Sequence, residues 1–205
     1  MQLVLNDNIE YQYLLYEPDT EENETYPLII FLHGAGERGD ELSALKAHSI
    51  PKIFEENADY PCFVVSPQCK QGSFWTAEIY QLKKFIDAIT EKYPIDKNRI
   101  QLTGVSMGGF GTWHLAMAYP DMFASIVPVC GGGMPWNAGV LTVPIRIFHG
   151  DADTVVNVRE SIDMYEALKK TNPNVEISIL PGVGHNEWDY AYNDDTIRWM
   201  LEQSK

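Results

Sequence analysis

The hydrophobic positions of the chain gather into short runs that are typical of β-strands. Most of these runs are continuously apolar and end at glycine or proline, a pattern that favours strands buried on both faces of a parallel sheet. An earlier segment, Ile9–Tyr16, alternates in part and stops before Pro18, which predicts an antiparallel edge strand. The other predicted strands are Pro27–Gly34, Cys62–Ser66, Arg99–Thr103, Phe123–Cys130, Val143–Gly150 and Val175–Leu180.

Between these runs, apolar residues recur at the spacing of amphipathic helices. Helices are predicted over Glu78–Tyr93, over Phe110–Tyr119, from Val158 to Lys170 and around Ile197–Leu201. Strands that alternate with helices in this way predict an α/β fold, with a mostly parallel, doubly wound sheet flanked by helices. Neither a linker nor an internal repeat interrupts the pattern, so we expect a single domain over residues 1–205.

Charge and composition restrict the partners. The 205 residues include 15 Lys and Arg against 29 Asp and Glu, which gives a net charge of −14. Such a field repels nucleic acid and anionic membrane surfaces, so we expect neither as a partner. No secretory signal is visible, and no apolar run approaches the ~18 residues that span a bilayer. Three cysteines without metal-type spacing fit a reducing compartment, so we expect a cytoplasmic location and keep secretion with a removed signal peptide as the alternative. The oligomeric state stays open.

The clearest chemical signal is Gly104-Val105-Ser106-Met107-Gly108-Gly109, which lies between a predicted strand and a predicted helix. In that context a glycine-flanked serine is a nucleophile elbow. The glycines are needed because the turn is crowded, and a Cβ at either flank would strike the neighbouring strand or helix. Ser106 is therefore the candidate nucleophile.

A serine hydroxyl needs a base, and the base must itself be oriented by an acid. On a sheet of this kind the acid and then the base follow the serine along the chain, at strand ends. Asp151 and Asp153 follow one such strand. We favour Asp153, because the loop must turn before a side chain can reach the base, and we keep Asp151 as the alternative. His185 follows the last strand and is the only histidine after Asp153, which makes it the candidate base.

The other histidines give weaker signals. His33 and His149 each precede a glycine at a strand end and are expected to be structural. His114 lies within the helix after the elbow, and His48 has no informative context. The chain shows no metal-ligand cluster, no P-loop and no dinucleotide fingerprint, so we expect neither a metal nor a cofactor.

An oxyanion hole requires backbone donors beside the nucleophile. The first is expected to be the N–H of Met107, and the second to come from the glycine-rich loop that follows the first buried strand. In that loop Ala35 is the preferred donor and Gly36 the alternative. The charged residues of the same loop are expected to be ion-paired and solvated: Glu37, Arg38 and Asp40.

Together these motifs resemble the α/β-hydrolase superfamily. More narrowly, the chain resembles its compact phospholipase/carboxylesterase group, near the predicted peptidases and the esterases related to polyhydroxybutyrate depolymerases. The resemblance implies an α/β-hydrolase fold and an esterase with Ser106, Asp153 and His185 as its catalytic triad, acting on a small-molecule ester. It rests on four motifs in order, His33–Gly39, Gly104–Gly109, His149–Asp153 and Gly184–His185.

The expected substrate site is open and apolar. Members of the superfamily often insert a cap domain after the strand that follows the elbow helix, but here the interval Gly131–Thr142 is too short for a helical lid. Three tryptophans in loops at the catalytic end are candidate walls for an apolar acyl or aryl group, namely Trp75, Trp136 and Trp188.

The main hypothesis is a serine carboxylesterase that hydrolyses short-chain or small aryl esters through an acyl-enzyme on Ser106. Neighbouring families take acetylated or feruloylated polysaccharide and lysophospholipids, so an acetylxylan or feruloyl esterase and a lysophospholipase stay open as alternatives. A serine peptidase and a non-catalytic binding protein with a hydrolase fold are the alternatives from other classes.

Overall fold

The apolar runs form the strands of one sheet. A computed structural model describes residues 2–5, 11–56 and 59–205. The eight strands are β1 (Gln2–Leu5), β2 (Tyr13–Tyr16), β3 (Tyr26–Leu32), β4 (Phe63–Pro67), β5 (Ile95–Val105), β6 (Ser125–Val129), β7 (Ile145–Gly150) and β8 (Val175–Leu180). Across the sheet they follow the order β1-β2-β4-β3-β5-β6-β7-β8.

Most of the sheet is parallel, as predicted. Strands β4, β3, β5, β6, β7 and β8 all run in one direction, and only β1 and β2 contribute antiparallel pairings. The carboxyl ends of the parallel strands therefore meet at one edge of the sheet, where doubly wound proteins place their ligand sites.

The prediction of an edge strand at Ile9–Tyr16 was wrong in its position. Strand β2 is antiparallel, but it pairs with β4 on one side and with β1 on the other, so β1 forms the edge. Residues Ile9 and Glu10 of the predicted strand lie outside the described residues. A four-residue strand such as β1 is too short to show a periodic pattern, which is why the sequence did not predict it.

Helices cover both faces of the sheet. They are α1 (Ser49–Glu56), α2 (Ile79–Lys92), α3 (Met107–Ala118), α4 (Arg159–Leu168), α5 (Trp188–Ala191) and α6 (Asp194–Glu202). Short 3₁₀ helices occupy Ala35–Glu37, Leu42–Lys46, Trp75–Ala77 and Pro135–Val140.

The alternation along β3 decides which helices each side chain meets, because successive strand residues point to opposite faces. Leu28, Ile30 and Leu32 join one core with residues of α2, α3 and α4. Ile29 and Phe31 join a second core with residues of α1 and α6. All five side chains are almost completely buried, which explains why this strand is apolar without interruption.

The catalytic end of the sheet is lightly covered. Between β6 and β7 the chain forms only the 3₁₀ helix Pro135–Val140, so no cap domain stands at this point of the described chain, in agreement with the short interval. Cys62, Cys69 and Cys130 are free and buried. Of the helices within the described ranges, none is both long enough and apolar enough to cross a membrane.

Candidate active site

Ser106 occupies the sharp turn between β5 and α3. Its backbone has φ 55° and ψ −116°, a left-handed conformation that is strained for a residue with a side chain. The flanking glycines permit the turn: a Cβ on Gly108 would lie 1.8 Å from the carbonyl oxygen of Leu32. One on Gly104 would lie 2.5 Å from the carbonyl oxygen of Gly108. The predicted reason for these glycines is therefore confirmed.

The structure brings the three candidate triad residues into one hydrogen-bonded row. Nε2 of His185 lies 2.9 Å from Oγ of Ser106, and Nδ1 of the same ring lies 2.7 Å from Oδ2 of Asp153. Because Asp153 is acceptor-only, Nδ1 carries the proton and Nε2 is left free to accept from the serine hydroxyl. This is the arrangement that a general base needs before it can activate a serine.

Asp153 is held as a carboxylate. Its Oδ1 accepts the amides of Val155 and Val156 at 2.7 and 3.0 Å. Burial alone would raise the pKa of Asp153, but the hydrogen bonds from His185 and from these amides outweigh burial and lower the pKa to about 2. The acid is consequently charged at neutral pH.

The alternative acid, Asp151, has a different place. Its Oδ1 accepts the amide of Gly182 at 2.7 Å, and the side chain is exposed. Two further bonds join the same loops, from Asp151 N to the Leu180 carbonyl at 3.2 Å and from Ala152 N to the Val183 carbonyl at 3.1 Å. Asp151 therefore ties the loop after β7, which carries the acid (the acid loop), to the loop after β8, which carries the base (the base loop). Of the two candidate acids, only Asp153 reaches His185.

His149 forms a buried wall behind the acid. Its Nδ1 lies 2.7 Å from Oγ of Ser161, and its Nε2 donates to the carbonyl of Val156 at 2.9 Å. Burial lowers the pKa of His149, so the ring is neutral and structural, as predicted for a histidine at this strand end.

His33 is the second structural histidine, and it shapes the loop opposite Ser106. Nε2 accepts the amide of Cys69 at 2.9 Å, so Nδ1 carries the proton and donates to the Gly34 carbonyl at 2.6 Å. Burial lowers the pKa of His33 to about 4. The indole N–H of Trp75 donates to the His33 carbonyl at 2.9 Å and holds the same strand end.

The buried neutral state of His33 predicts acid destabilisation in a defined window. An unfolded chain protonates this ring below its ordinary pKa of 6.5, whereas the folded chain does so only below about 4. Stability is therefore complete above pH 6.5 and falls as the pH is lowered towards 4, by about 3 kcal/mol for this group at ~1.4 kcal/mol per pH unit. Urea unfolding at several pH values measures it. His33→Gln should flatten the curve, and parallel curves for both proteins would contradict the assignment.

The two expected oxyanion donors belong to α3 and to the loop after β3, two segments that adjoin Ser106. Met107 is the first residue of α3, so its amide has no acceptor within the helix, and no turn or loop hydrogen bond between described residues uses it. In the loop after β3, a Cβ on Gly34 would lie 3.8 Å from Cβ of Ser106, so the next amide along the chain, that of Ala35, lies near the nucleophile. The amide of Gly36 is one residue further from this contact.

The charged loop after Gly34 differs in part from the prediction. Asp40 is exposed, but the side chain of Glu37 is only 16% exposed, and its Oε1 lies 3.3 Å from Nε2 of His48. Arg38 donates to the carbonyl of Ser73 at 3.1 Å and places its guanidinium over the ring of Phe74. The prediction that all three charged side chains are solvated was therefore wrong. The short 3₁₀ turn directs the side chains of Glu37 and Arg38 back onto the protein.

The apolar pocket beside the nucleophile has unexpected walls. A cavity of about 310 Å³ is lined by Phe74, Thr76, Met107 and Phe110. The proposal of Trp75 as a pocket wall was wrong: Trp75 is fully buried and packs beneath the site, while its neighbour Phe74 is 52% exposed and faces the cavity. The sequence places an aromatic pair here but does not show which of the two points outwards.

The other two tryptophans have different settings. Trp188 lies beside the base, with its ring centroid 5.9 Å from that of His185 and 4.6 Å from the stacked ring of His48. Trp136 is 84% exposed in the 3₁₀ helix after β6 and does not line the apolar cavity. A role for Trp136 in substrate binding stays a prediction.

Two further residues of the site had no signal in the sequence. His48 directly precedes α1 and reaches the site through its stack on Trp188 and its contact with Glu37. Glu187 follows the base by two residues, and its buried carboxyl group accepts the amide of Gly150 at 3.1 Å. The position of each side chain depends on the path of a loop across the end of the sheet. The periodicity of hydrophobic residues does not predict that path.

Known proteins resemble this chain over most of its length. The family model for phospholipase/carboxylesterase matches residues 18–194. A bifunctional acetylxylan esterase/xylanase, XynS20E of Neocallimastix patriciarum, is 31% identical over 65% of the chain, and a poly(3-hydroxyalkanoate) depolymerase C of Paucimonas lemoignei is 29% identical over 52%. The chain spans only 20% and 28% of the length of these two relatives.

Solved structures show the same fold. A thermostable esterase superposes with a TM-score of 0.86 at 31% identity, and the match covers 100% of this chain and 63% of that one. A feruloyl esterase module from Clostridium thermocellum superposes with a TM-score of 0.75 at 17% identity, over 99% of this chain and 88% of that one. With the family match over residues 18–194, the chain belongs to the phospholipase/carboxylesterase family of the α/β-hydrolase superfamily.

Proposed function

We propose that the chain is a serine carboxylesterase that hydrolyses short-chain or small aryl esters through an acyl-enzyme on Ser106. One observation carries the proposal: the row of 2.9 and 2.7 Å contacts from Ser106 through His185 to Asp153. The esterases among the relatives and structural neighbours support the same reaction class.

The proposed mechanism gives each group one role. Oγ of Ser106 attacks the ester carbonyl while Nε2 of His185 takes its proton, and Asp153 stabilises the imidazolium. The amides of Met107 and Ala35 bind the oxyanion that forms. His185 then protonates the departing alcohol and leaves an acyl group on Ser106. Water attacks this acyl-enzyme with His185 as base, which releases the carboxylic acid and restores the hydroxyl.

The cavity beside Met107 suits the acyl group. Because it begins at the residue after the nucleophile, a group held there places its carbonyl next to the expected oxyanion donors. The walls are apolar apart from Thr76, and a volume of about 310 Å³ accommodates a short chain or a single aromatic ring. We therefore assign the acyl side of the ester to this cavity.

A panel of p-nitrophenyl esters of increasing acyl length tests the assignment. We expect kcat/KM to be highest for short acyl groups, and Phe74→Ala to lower it by about tenfold for butyrate, because one wall of the cavity is lost. Tyr80→Ala is the matched control, since it removes an aromatic ring of similar exposure, 61% against 52%, that does not line the cavity. Equal losses in both variants would contradict the acyl pocket.

Esters on a polysaccharide are the second candidate class. The relative XynS20E is named as a bifunctional acetylxylan esterase/xylanase. The connection between β6 and β7 carries no cap domain, so the site has room for a polymer. Acetylated xylan and methyl ferulate belong in the same panel. If kcat/KM on either exceeded that on p-nitrophenyl acetate and butyrate, the polysaccharide-ester assignment would replace the general one.

A further inference from the structure

A second carboxyl group is buried beside the triad. The side chain of Glu187 is 0% exposed, and its Oε2 lies 3.9 Å from Nδ1 of His185. One ligating atom from each of Cys130, Asp153, His185 and Glu187 fits within a cluster 4.8 Å across. Oε1 of Glu187 accepts a hydrogen bond from the Gly150 amide at 3.1 Å. An ionised Oε2 can only accept, and in that state it has no hydrogen-bond partner among the described residues.

Two ionised carboxylates in such a space repel each other strongly, because both side chains are buried. Among the described residues, neither carboxyl group pairs with a lysine or an arginine. The other titratable groups that face Glu187 are the Cys130 thiol, a weak donor, and His185, whose Nδ1 proton already goes to Asp153. His149 adds no charge behind Asp153, since it is buried and neutral.

We propose that Glu187 is a positioning residue that stays protonated and donates a hydrogen bond from Oε2 to the carboxylate of Asp153. The inference rests on the proposed esterase function, since it assigns a partner to the acid of that triad. The unpartnered Oε2 then has an acceptor, and the pair shares one negative charge instead of two.

The surroundings decide which of the two carboxyl groups holds the proton. Asp153 receives two amides and the imidazole N–H, whereas Glu187 receives the Gly150 amide and contacts from its own amide and from the weakly donating Cys130 thiol. Burial, and then the hydrogen bond with Asp153, raise the pKa of Glu187. The proton therefore resides on Glu187 and the charge on Asp153, where it can stabilise the imidazolium.

A pair of variants separates donation from charge. Glu187→Gln keeps a donor and an acceptor in nearly the same shape, whereas Glu187→Leu fills the space without either. We expect Glu187→Leu to lower kcat by about 10- to 100-fold with little change in KM, because the lost bond is made to a charged group. Glu187→Gln should recover most of that loss. Equal kcat values in both variants would overturn the proposal.

The pH profile supplies a readout that a purely structural role would not move. If Glu187 is protonated, the acid limb of kcat/KM is the same in Glu187→Gln and in the wild type. If it is ionised, the amide removes a negative charge 3.9 Å from the base and the limb shifts to lower pH. Such a shift would overturn the proposal.

Infrared spectroscopy tests the protonation without turnover. The wild type at neutral pH should show the carbonyl stretch of a protonated carboxyl group, and Glu187→Gln should lack it. Asp151→Asn is the matched control, because it removes an exposed carboxylate from the adjoining loop and should leave the band in place. If the band were absent from the wild type, the proposal would fail. If the band is present and ester hydrolysis is absent, the proposed function fails while the protonated Glu187 stands.

Discussion

Ser106→Ala is expected to lower ester hydrolysis by about 10⁴- to 10⁶-fold while leaving the fold intact. The hydroxyl is the only atom removed, and it makes no contact beyond His185 among the hydrogen bonds of the described residues. The new residue keeps a Cβ at the same left-handed backbone position, so the elbow strain is unchanged. Initial rates on p-nitrophenyl acetate and thermal unfolding curves measure the two effects.

Covalent labelling identifies the same atom independently. A fluorophosphonate should add to the peptide that contains Ser106 in the wild type, and Ser106→Ala should show no adduct by intact mass. Ser43→Ala is a suitable control, because Ser43 is exposed and bonds only to Glu41, so labelling and turnover should persist. An adduct on Ser106→Ala would remove this serine from the mechanism.

Gly108→Ala is expected to destabilise the protein by about 4 kcal/mol or more, enough to prevent folding of many domains. Inside a helix this substitution would ordinarily stabilise by ~1 kcal/mol, so the sign of the effect is informative. Here the added Cβ would lie 1.8 Å from the Leu32 carbonyl oxygen and 2.5 Å from its carbon. Those atoms are backbone at the end of β3, which is paired on both sides, and they cannot retreat without separating α3 from β3.

Urea unfolding, or soluble yield where the variant does not fold, measures this loss. Gly139→Ala is the matched control, since a Cβ on Gly139 would meet no atom within 4 Å. Its stability should stay within about 1 kcal/mol of the wild type. If Gly108→Ala folded with normal stability, α3 would lie further from β3 than in the structure, and the prediction would be contradicted.

The sequence predicts most of the sheet because its information there is local. Runs such as Pro27–Gly34 are apolar throughout for the simple reason that both faces are covered, and β3 occupies almost the same span. Helix α1 shows what was missed: Ile50, Ile53 and Phe54 have helical spacing, and Pro51 is tolerated because it lies in the first turn. The β5 strand begins at Ile95, earlier than its apolar part, because backbone pairing with Tyr26 extends it through polar residues.

Within the site, predictability depends on whether a side chain direction follows from its element. Ser106 lies in a turn whose glycines dictate its geometry, and the sequence shows it directly. Phe74 and Trp75 are neighbours, and only the path of the loop decides that Trp75 points into the core and Phe74 into the cavity. Glu187 is harder still, because a glutamate in an acidic chain is ordinarily a surface residue, and its burial follows from contacts with β7.

The bonds between the acid loop and the base loop have a mechanical consequence. Asp151 and Ala152 are tied to the segment 180–183, so His185 and Asp153 move together when the end of the sheet flexes. Ser106 belongs to the other side of this joint, on the turn between β5 and α3. A displacement between the two parts therefore leaves the 2.7 Å imidazole–carboxylate contact intact and changes only the 2.9 Å serine–imidazole contact. Among the described residues, the nucleophile therefore contacts its base through one hydrogen bond, whereas the base and its acid are also joined through their loops.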